Sequence, residues 1–429
     1  MTATAARVSA PPLLARTMTS MVVSYAGAMI ALLVPVSLLL TLHLSAMVGK
    51  DHVAGALGLV TGCGAVAAML VNPIAGRISD RTRLRFGRRR TWILFGGVGG
   101  AVVVTATGFT TELWQVVVAW SLVQAMFNFQ LATTGALMAD QVPADRRGAI
   151  SGALGFTVAF SPLLGLGAVS AVSGALQWLV LGLLALVCAV LAVVLLREPR
   201  PPAGERPPLS LRSLVTSFWL NPRRHPAFGW AWAVRFLVTA AGSAFGYNGV
   251  YLLQRMDVAE DRLAGLVLGL SALYVGLGAC ASLAGGVLSD RFHRQKPFVV
   301  LAAVLSAVGL ITLAVARSMP LVYVATAISA LGAGVFLSVD VALSTRMLPN
   351  SADVGKDFAV LNLASTLPQS LVPFAAPALL ALGGFPALYL VLGVLGVLGG
   401  LCVLRLPELG REGDPRYALL DAAPKEATP

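Results

Sequence analysis

The chain has 429 residues, of which 57% are hydrophobic and 12% charged, with a mean hydropathy of +0.82 and a formal net charge of +12. A soluble globule carries about 25% charged residues, so this composition excludes a water-soluble fold and makes the bilayer its solvent. The basic excess is spread over alternate loops between apolar runs, which excludes a nucleic-acid-binding face and turns the charge into a topology signal.

A membrane span needs roughly 20 apolar residues. Runs near 20–45, 53–76, 91–110, 113–138, 149–171, 176–196, 228–252, 263–288, 297–316, 320–345, 358–382 and 385–404 supply about twelve of them. The expected fold class is therefore an all-α membrane protein. The first run, from Met21, exceeds the apolar core of about 7–15 residues in a cleavable signal and is read as a permanent span. His43 and Ser45 stand near its outer end, where an interfacial role for the histidine is favoured over a proton relay.

Between the second and third runs, residues 72–90 read NPIAGRISDRTRLRFGRRR, and between the eighth and ninth the chain has GGVLSDRFHRQK. Both copies place a glycine four positions before an Asp-Arg pair (Gly76 before Asp80-Arg81, Gly286 before Asp290-Arg291) and follow it with basic residues. An arginine at the centre of a span costs about 2.5–3.5 kcal/mol on insertion scales, so both blocks are loops outside the hydrocarbon. Arg7 and Arg16, Arg77 to Arg90, Arg146-Arg147, Arg197 to Arg224, Arg291 to Lys296 and Arg405 to Arg416 mark one side. The other side has only Lys50, Arg255, Arg262 and Arg317. By the positive-inside rule both termini and the central loop are cytoplasmic, in a multi-pass protein of the cell membrane whose basic loops meet membrane lipid.

The proline- and charge-rich stretch 197–227 divides the chain into a six-span bundle, 1–196, and a second, 228–404, followed by a tail, 405–429. Within that stretch Leu209 to Leu220 reads equally as an interfacial helix or as part of a tether. The halves repeat. Ala136-Leu137 through Pro143 lies on Ala342-Leu343 through Pro349 at an offset of 206, as does Pro162 on Pro368, and Asp80 lies on Asp290 at 210. Cys63, Cys188, Cys280 and Cys402 fall inside apolar runs and are expected to stay unpaired.

The pattern Gly76, Asp80, Arg81, Gly87, Arg88 resembles the signature loop of the major facilitator superfamily, over nearly the whole chain. More narrowly, VNPIAG with SDRTRLRFGRRR, ALMADQVPADRRG after the fourth span, and NLASTLPQSLVP in the eleventh are similar to the glycoside-pentoside-hexuronide:cation symporters and the sucrose/proton symporters. The resemblance implies a major facilitator fold of two six-helix pseudo-repeats and a carrier working by alternating access. It also implies that Asp80, Arg88 and Asp140 form an inner gate, Asp80 facing a helix N-terminus of the other half, an arrangement worth about 0.3–1 kcal/mol. The plainer reading of the loop is a topogenic anchor. One departure stands out: Gln124 falls where the sucrose carriers have a membrane-embedded aspartate, and Gly135 where they have an arginine.

Ionisable groups inside spans are costly and usually face a cavity or a partner. Asp340 in the tenth span reads as a proton or cation site, as a counter-ion for a charged substrate, or as a structural partner of Arg346 or Arg235. Arg235 itself reads as a coupling residue or as an anchor snorkelling to the headgroups. Polar residues that suit a path are Gln124, Asn128, Gln130, Thr133 and Thr134 in the fourth span, and Tyr247, Asn248 and Tyr251 in the seventh. The eleventh adds Asn362, Thr366, Gln369 and Ser370 around Pro368, whose freed carbonyls could serve as ligands. Such a set fits a neutral, hydroxyl-rich or amphipathic solute; the alternative is interhelical glue at about 0.6 kcal/mol per contact.

No GxxxxGK loop or clustered metal ligands occur in the sequence, so neither cofactor nor metal is expected and an enzyme is disfavoured. The expected function is secondary transport of a small-molecule substrate by a monomer, coupled to a cation, most simply the proton, with a sugar or glycoside as solute. A proton-driven exporter of an amphipathic compound and, more remotely, a non-transporting sensor are the alternatives.

Overall fold

A computed structural model describes residues 11–82, 84–143, 146–198, 226–292, 295–346 and 354–406, and all regular structure among them is helical. The helices are α1 (Leu14–Val48), α2 (Val53–Arg81), α3 (Arg88–Thr107), α4 (Leu113–Gln141), α5 (Arg147–Ser170) and α6 (Ala175–Leu195). They continue with α7 (Pro226–Gln254), α8 (Glu260–Phe292), α9 (Lys296–Val315) and α10 (Met319–Arg346). The last helical run, Val354–Val403, contains an apolar stretch of 41 residues. At 1.5 Å per residue this is about 60 Å, twice the hydrocarbon thickness. The run is broken at Gly383 (φ −165°, ψ 23°) and Gly384 (φ 65°, ψ −160°) into α11, 354–382, and α12, 385–403. Among the described residues, eleven apolar helical stretches thus supply twelve helices long enough for a crossing, with the division where the hydropathy pattern places it.

The repeat seen in the sequence reappears in the packing. In the first half α1 lies against α4, α5 and α6, α2 against α4, and α3 against α4 and α6. The second half repeats these contacts six helices later, with α7 against α10, α11 and α12, α8 against α10, and α9 against α10 and α12. The halves meet where α2 packs on α11 and α5 on α8. One helix in each half is distorted at the same place. Pro35–Leu39 in α1 is a π-helical turn, with the Leu40 N–H bonded to the Pro35 carbonyl, and Ser243–Tyr247 in α7 is a 3₁₀ turn. Both ends of the two segments are 208 positions apart, between the offsets of the other repeats. Pro35 has no N–H to continue the α ladder, which admits the extra residue of a π turn.

The predicted linker 197–227 lies outside the described residues except for Arg197, Glu198, Pro226 and Ala227, and the tail 405–429 except for Arg405 and Leu406. All four cysteines are free thiols.

Candidate functional site

The first loop folds into a charged cluster. Arg88 Nη2 lies 2.7 Å from Asp140 Oδ2, the pair the sequence suggests. The centre of the cluster, however, is Arg89, which is only 3% exposed. Its guanidinium reaches Asp80 Oδ1 at 2.6 Å and Asp140 Oδ2 at 2.8 Å, and donates to Ser79 Oγ at 2.9 Å. The ion pair of Asp80 is thus made within its own half, between α2 and α3. Arg81 is half-buried, and a Cβ at Gly76 would meet nothing within 4 Å.

Glu198, just past α6, completes the cluster. Its carboxylate accepts the backbone N–H of Arg89 at 2.9 and 3.0 Å and of Arg90 at 3.3 Å. Helix α3 opens on three arginines and has no acidic residue in its first turn. Its exposed N–H groups and positive dipole end therefore need an acceptor from elsewhere. Gly87 makes room for it: its φ of +118° is strained for any other residue, and a Cβ there would lie 2.5 Å from Glu198 Oε2. Glu198→Ala is expected to cost about 1 kcal/mol, the size of a lost N-cap, read as a lower midpoint of thermal unfolding in detergent; an unchanged midpoint would remove the capping role. In the second copy of the loop Gly286 lies beside Ser338, its Cβ position 3.9 Å from that of the serine, and Arg291 is exposed. The side chain of Asp290 falls outside the described residues.

At the opposite end of the bundle the halves are locked together. Ser45 Oγ donates to Glu260 Oε1 at 3.0 Å, Lys50 Nζ lies 3.7 Å from Asp257 Oδ1, and Gln254 Nε2 donates to the Lys50 carbonyl. The two distorted turns meet just inside this lock. A Cβ on Gly249 would lie 2.7 Å from the Ser37 carbonyl oxygen and 3.1 Å from Thr41 Oγ1, and one on Gly58 of α2 would run into Pro377 of α11. One apolar cluster, including Leu39, Leu44, Leu57, Tyr251 and Leu388, joins both halves at this end. His43 sits here too, its Nε2 2.8 Å from Thr110 Oγ1 and its ring edge-on to Trp178.

The interior polar residues separate into two kinds. Asn128 Nδ2 donates to the Gln124 carbonyl at 2.8 Å and lies 3.3 Å from its Oε1, on one half-buried face of α4. Gln130 and Thr134, by contrast, are fully buried and tie α4 to α1: Gln130 Nε2 donates to the Ser24 carbonyl at 2.9 Å, and the Ser24 and Thr134 hydroxyls are 2.8 Å apart. Thr133 is buried with them. Tyr247 and Tyr251 are 2% and 1% exposed. The Tyr247 hydroxyl donates to the Pro373 carbonyl at 3.3 Å, the one that loses its helical partner because Pro377 has no N–H. The Tyr251 hydroxyl donates to the Leu313 carbonyl at 3.0 Å in the last turn of α9, with its ring against Phe385 and Tyr389. The structure thus places both hydroxyls in packing within the second half. Asn248 is half-buried beside them, whereas Thr366 and Gln369 are exposed on α11. The carbonyl freed by Pro368 is that of Ala364, a fully buried residue, so it does not open on a path. The side chains of Asn362, Ser370 and Arg346 lie outside the described residues.

Asp340, 6% exposed, faces Arg235 across α7 and α10, with Arg235 Nη2 3.5 Å from Asp340 Oδ2. Arg235 Nε donates to Ser365 Oγ of α11 at 2.7 Å. One turn away the Trp232 Nε1 donates to the Val360 carbonyl at 2.9 Å, fixing α7 on α11. The arginine is therefore held inside the bundle by α10 and α11.

Three solved structures share this architecture. A nucleoside transporter superposes with a TM-score of 0.70 at 11% identity, covering 91% of this chain and 99% of that chain. A bacterial homologue of the human lysosomal transporter Spinster, inward-facing and occupied, gives 0.69 at 14%, covering 92% and 97%. A D-xylose-proton symporter gives 0.64 at 17%, also covering 92% and 97%. At such identities these likenesses concern the fold. The family model of the Major Facilitator Superfamily matches residues 17–273 and 257–426. With that match, the twelve crossings and the repeated six-helix packing, the chain belongs to the major facilitator superfamily and is a multi-pass membrane transporter, not an enzyme.

Proposed function

We propose that this protein is a secondary active transporter that carries a hydroxylated solute, a sugar or glycoside, into the cell together with a proton. The observation that carries the reading is the placement of the contacts between the halves. The named bonds and close approaches between them, from Ser45–Glu260 to Gly58–Pro377, lie at the end remote from the charged loops. By the positive-inside rule the charged loops, the linker and both termini are cytoplasmic, so this conformation is closed outside. In the opposite state Asp80 exchanges Arg89 for a helix end of the second half, and the cluster of Asp80, Arg88, Arg89, Asp140 and Glu198 acts as the inner latch. Gln124, Asn128 and Gln369 are the groups proposed to line the path, since their amides suit hydroxyls and they are incompletely buried. The sugar assignment draws on the loop resemblance to the glycoside and sucrose carriers, and a D-xylose-proton symporter among the structural neighbours is in keeping with it.

The test is uptake of a sugar and glycoside panel into right-side-out vesicles, with and without an inward proton gradient. Gradient-dependent accumulation of at least one member is the expected result, and Asp80→Asn should reduce its rate while leaving equilibrium solute binding intact. Gradient-driven efflux of hydrophobic dyes with no sugar uptake would replace this reading by that of an exporter.

A further inference from the structure

We propose that the groove between α9 and α12, at the cytoplasmic end of the second half, binds an anionic phospholipid, with its phosphate at Lys296 and Arg405 and an acyl chain along α9. This goes beyond the transporter reading and shares with it only the membrane orientation.

The two halves build the same junction with opposite charge balance. In the first half α3 runs beside α6, and in the second α9 runs beside α12, where Gly400 lies against Ala303. Helices α3 and α9 both have 20 residues and begin 208 positions apart, the spacing that also separates the two distorted turns. At that offset Lys296 takes the place of Arg88, Arg405 that of Arg197, and Leu406 that of Glu198.

In the first half Glu198 brings the negative charge. It accepts the N–H groups that open α3, and Arg88 Nε lies 3.9 Å from its Oε1. In the second half an apolar side chain replaces that carboxylate. Leu406 is 2% exposed and shares a cluster with Val299 and Val403, and the first turn of α9 has no acid. The two cations are kept. Among the described residues neither Lys296 nor Arg405 forms an ion pair. Arg405 is exposed, with its guanidinium 5.7 Å from the centre of the Trp230 ring. The side chains of Asp290 and Glu408, the nearest acids along the chain, lie outside the described residues.

A groove of about 570 Å³ opens at this junction, lined by Lys296, Pro297, Val300, Leu301 and Val304 of α9 and by Leu404, just past the end of α12. Pro297, Val300, Leu301 and Val304 follow at three- and four-residue spacing and so share one face of α9. Val304 is eight residues beyond Lys296, so the apolar floor extends about 12 Å from the charge. Leu301, Val304 and Leu404 are 47%, 49% and 60% exposed.

A cation at the level of the headgroups above an apolar furrow fits a phospholipid, and two cations without a carboxylate fit an anionic one. A soluble phosphate would leave the furrow uncovered. By the positive-inside rule this end faces the cytoplasm, on the side of the leaflet that carries the anionic lipids. The lipid phosphate then stands in the second half where Glu198 stands in the first.

The experiment is native mass spectrometry of the full chain in detergent, titrated with phosphatidylglycerol and with phosphatidylcholine. The wild type is expected to bind one phosphatidylglycerol about thirtyfold tighter than phosphatidylcholine, since each basic residue at the membrane surface adds roughly a fivefold preference for an anionic headgroup. Lys296→Gln with Arg405→Gln should abolish the preference, and either substitution alone should lower it about fivefold. Arg85→Gln with Arg197→Gln removes the same charge from two exposed positions at the same membrane surface of the first half and should leave the preference unchanged. Leu301→Trp, which fills the groove and keeps both cations, should weaken binding of both lipids. Equal affinity for the two lipids in the wild type, an equal loss in the Arg85 and Arg197 variant, or unchanged binding in Leu301→Trp overturns the proposal. Displacement of the bound lipid by glycerol phosphate would mark a site for a soluble anion and overturn it as well.

Discussion

Gly249→Val is expected to cut transport by about ten- to a hundredfold while each half of the protein still folds. Gly249 lies in α7 just after its 3₁₀ turn, where a Cβ would sit 2.7 Å from the Ser37 carbonyl oxygen and 3.1 Å from Thr41 Oγ1 of α1. A backbone oxygen cannot turn aside as a long side chain can, so the added atoms are accommodated only if the halves move apart. Overpacking of this kind costs about 1–3 kcal/mol. In the transport cycle proposed above, each turnover passes through the state closed at this end, and the strain falls on that state alone. A penalty of that size lowers its population by roughly the same ten- to hundredfold. The check is twofold. Uptake by reconstituted protein should fall, and a Ser45→Cys, Glu260→Cys pair, set where the native side chains are 3.0 Å apart, should cross-link readily in the parent and poorly with valine at 249. Full cross-linking together with normal uptake would show that the contact does not gate the cycle.

Arg89→Met is expected to destabilise the protein by about 3 kcal/mol, far more than Arg88→Met. Removing one partner of a buried ion pair costs about 3–5 kcal/mol, because the other charge is left unmatched. The lower end applies here, since Asp80 and Asp140 are 54% and 24% exposed and water screens them in part. Arg88 is itself 29% exposed, and Asp140 keeps Arg89 when it is lost, which leaves about 1 kcal/mol, the upper range for a surface pair. Thermal unfolding in detergent should show the larger fall for the Arg89 variant, and equal falls, or the reverse order, would contradict the burial of Arg89 as the centre of the cluster.

That contrast shows where the linear chain is informative and where it is not. Arg88, Arg89 and Arg90 are three identical residues in a row, and nothing in their order tells which one turns inward. Helical geometry decides it. At the start of α3 the three point about 100° apart, and the packing of α3 beside α2 and α4 puts only Arg89 between Asp80, Asp140 and Ser79. Arg90 instead lies over the Phe86 ring at 4.7 Å. Glu198 reads in the sequence as one charge in a proline-rich linker, and only the approach of the end of α6 to the start of α3 makes it a cap. A helix opening on three arginines with no acid of its own was nonetheless a sign that such an acceptor had to come from elsewhere. The tyrosines went the other way. Tyr247 and Tyr251, one turn apart, form a polar face by spacing, but the Tyr247 hydroxyl answers the carbonyl left over by Pro377 and the Tyr251 hydroxyl adds a second bond to the Leu313 carbonyl, which the Ala316 N–H already meets, contacts that arise only once those helices are side by side.

The break between the last two helices, by contrast, is already legible in the Gly383-Gly384 pair, because an apolar run of twice the bilayer thickness cannot cross once and glycine alone tolerates the turn. The chain by itself determined its solvent, its number of crossings, its duplication and its family, since each of these depends on hydropathy and repetition along one dimension. The tertiary structure decided which arginine is buried, which carboxylate meets it, and at which end the halves are closed. Those outcomes depend on distances between helices far apart in sequence, and the helices themselves, apolar on nearly every face, carry little periodic pattern that could have announced them.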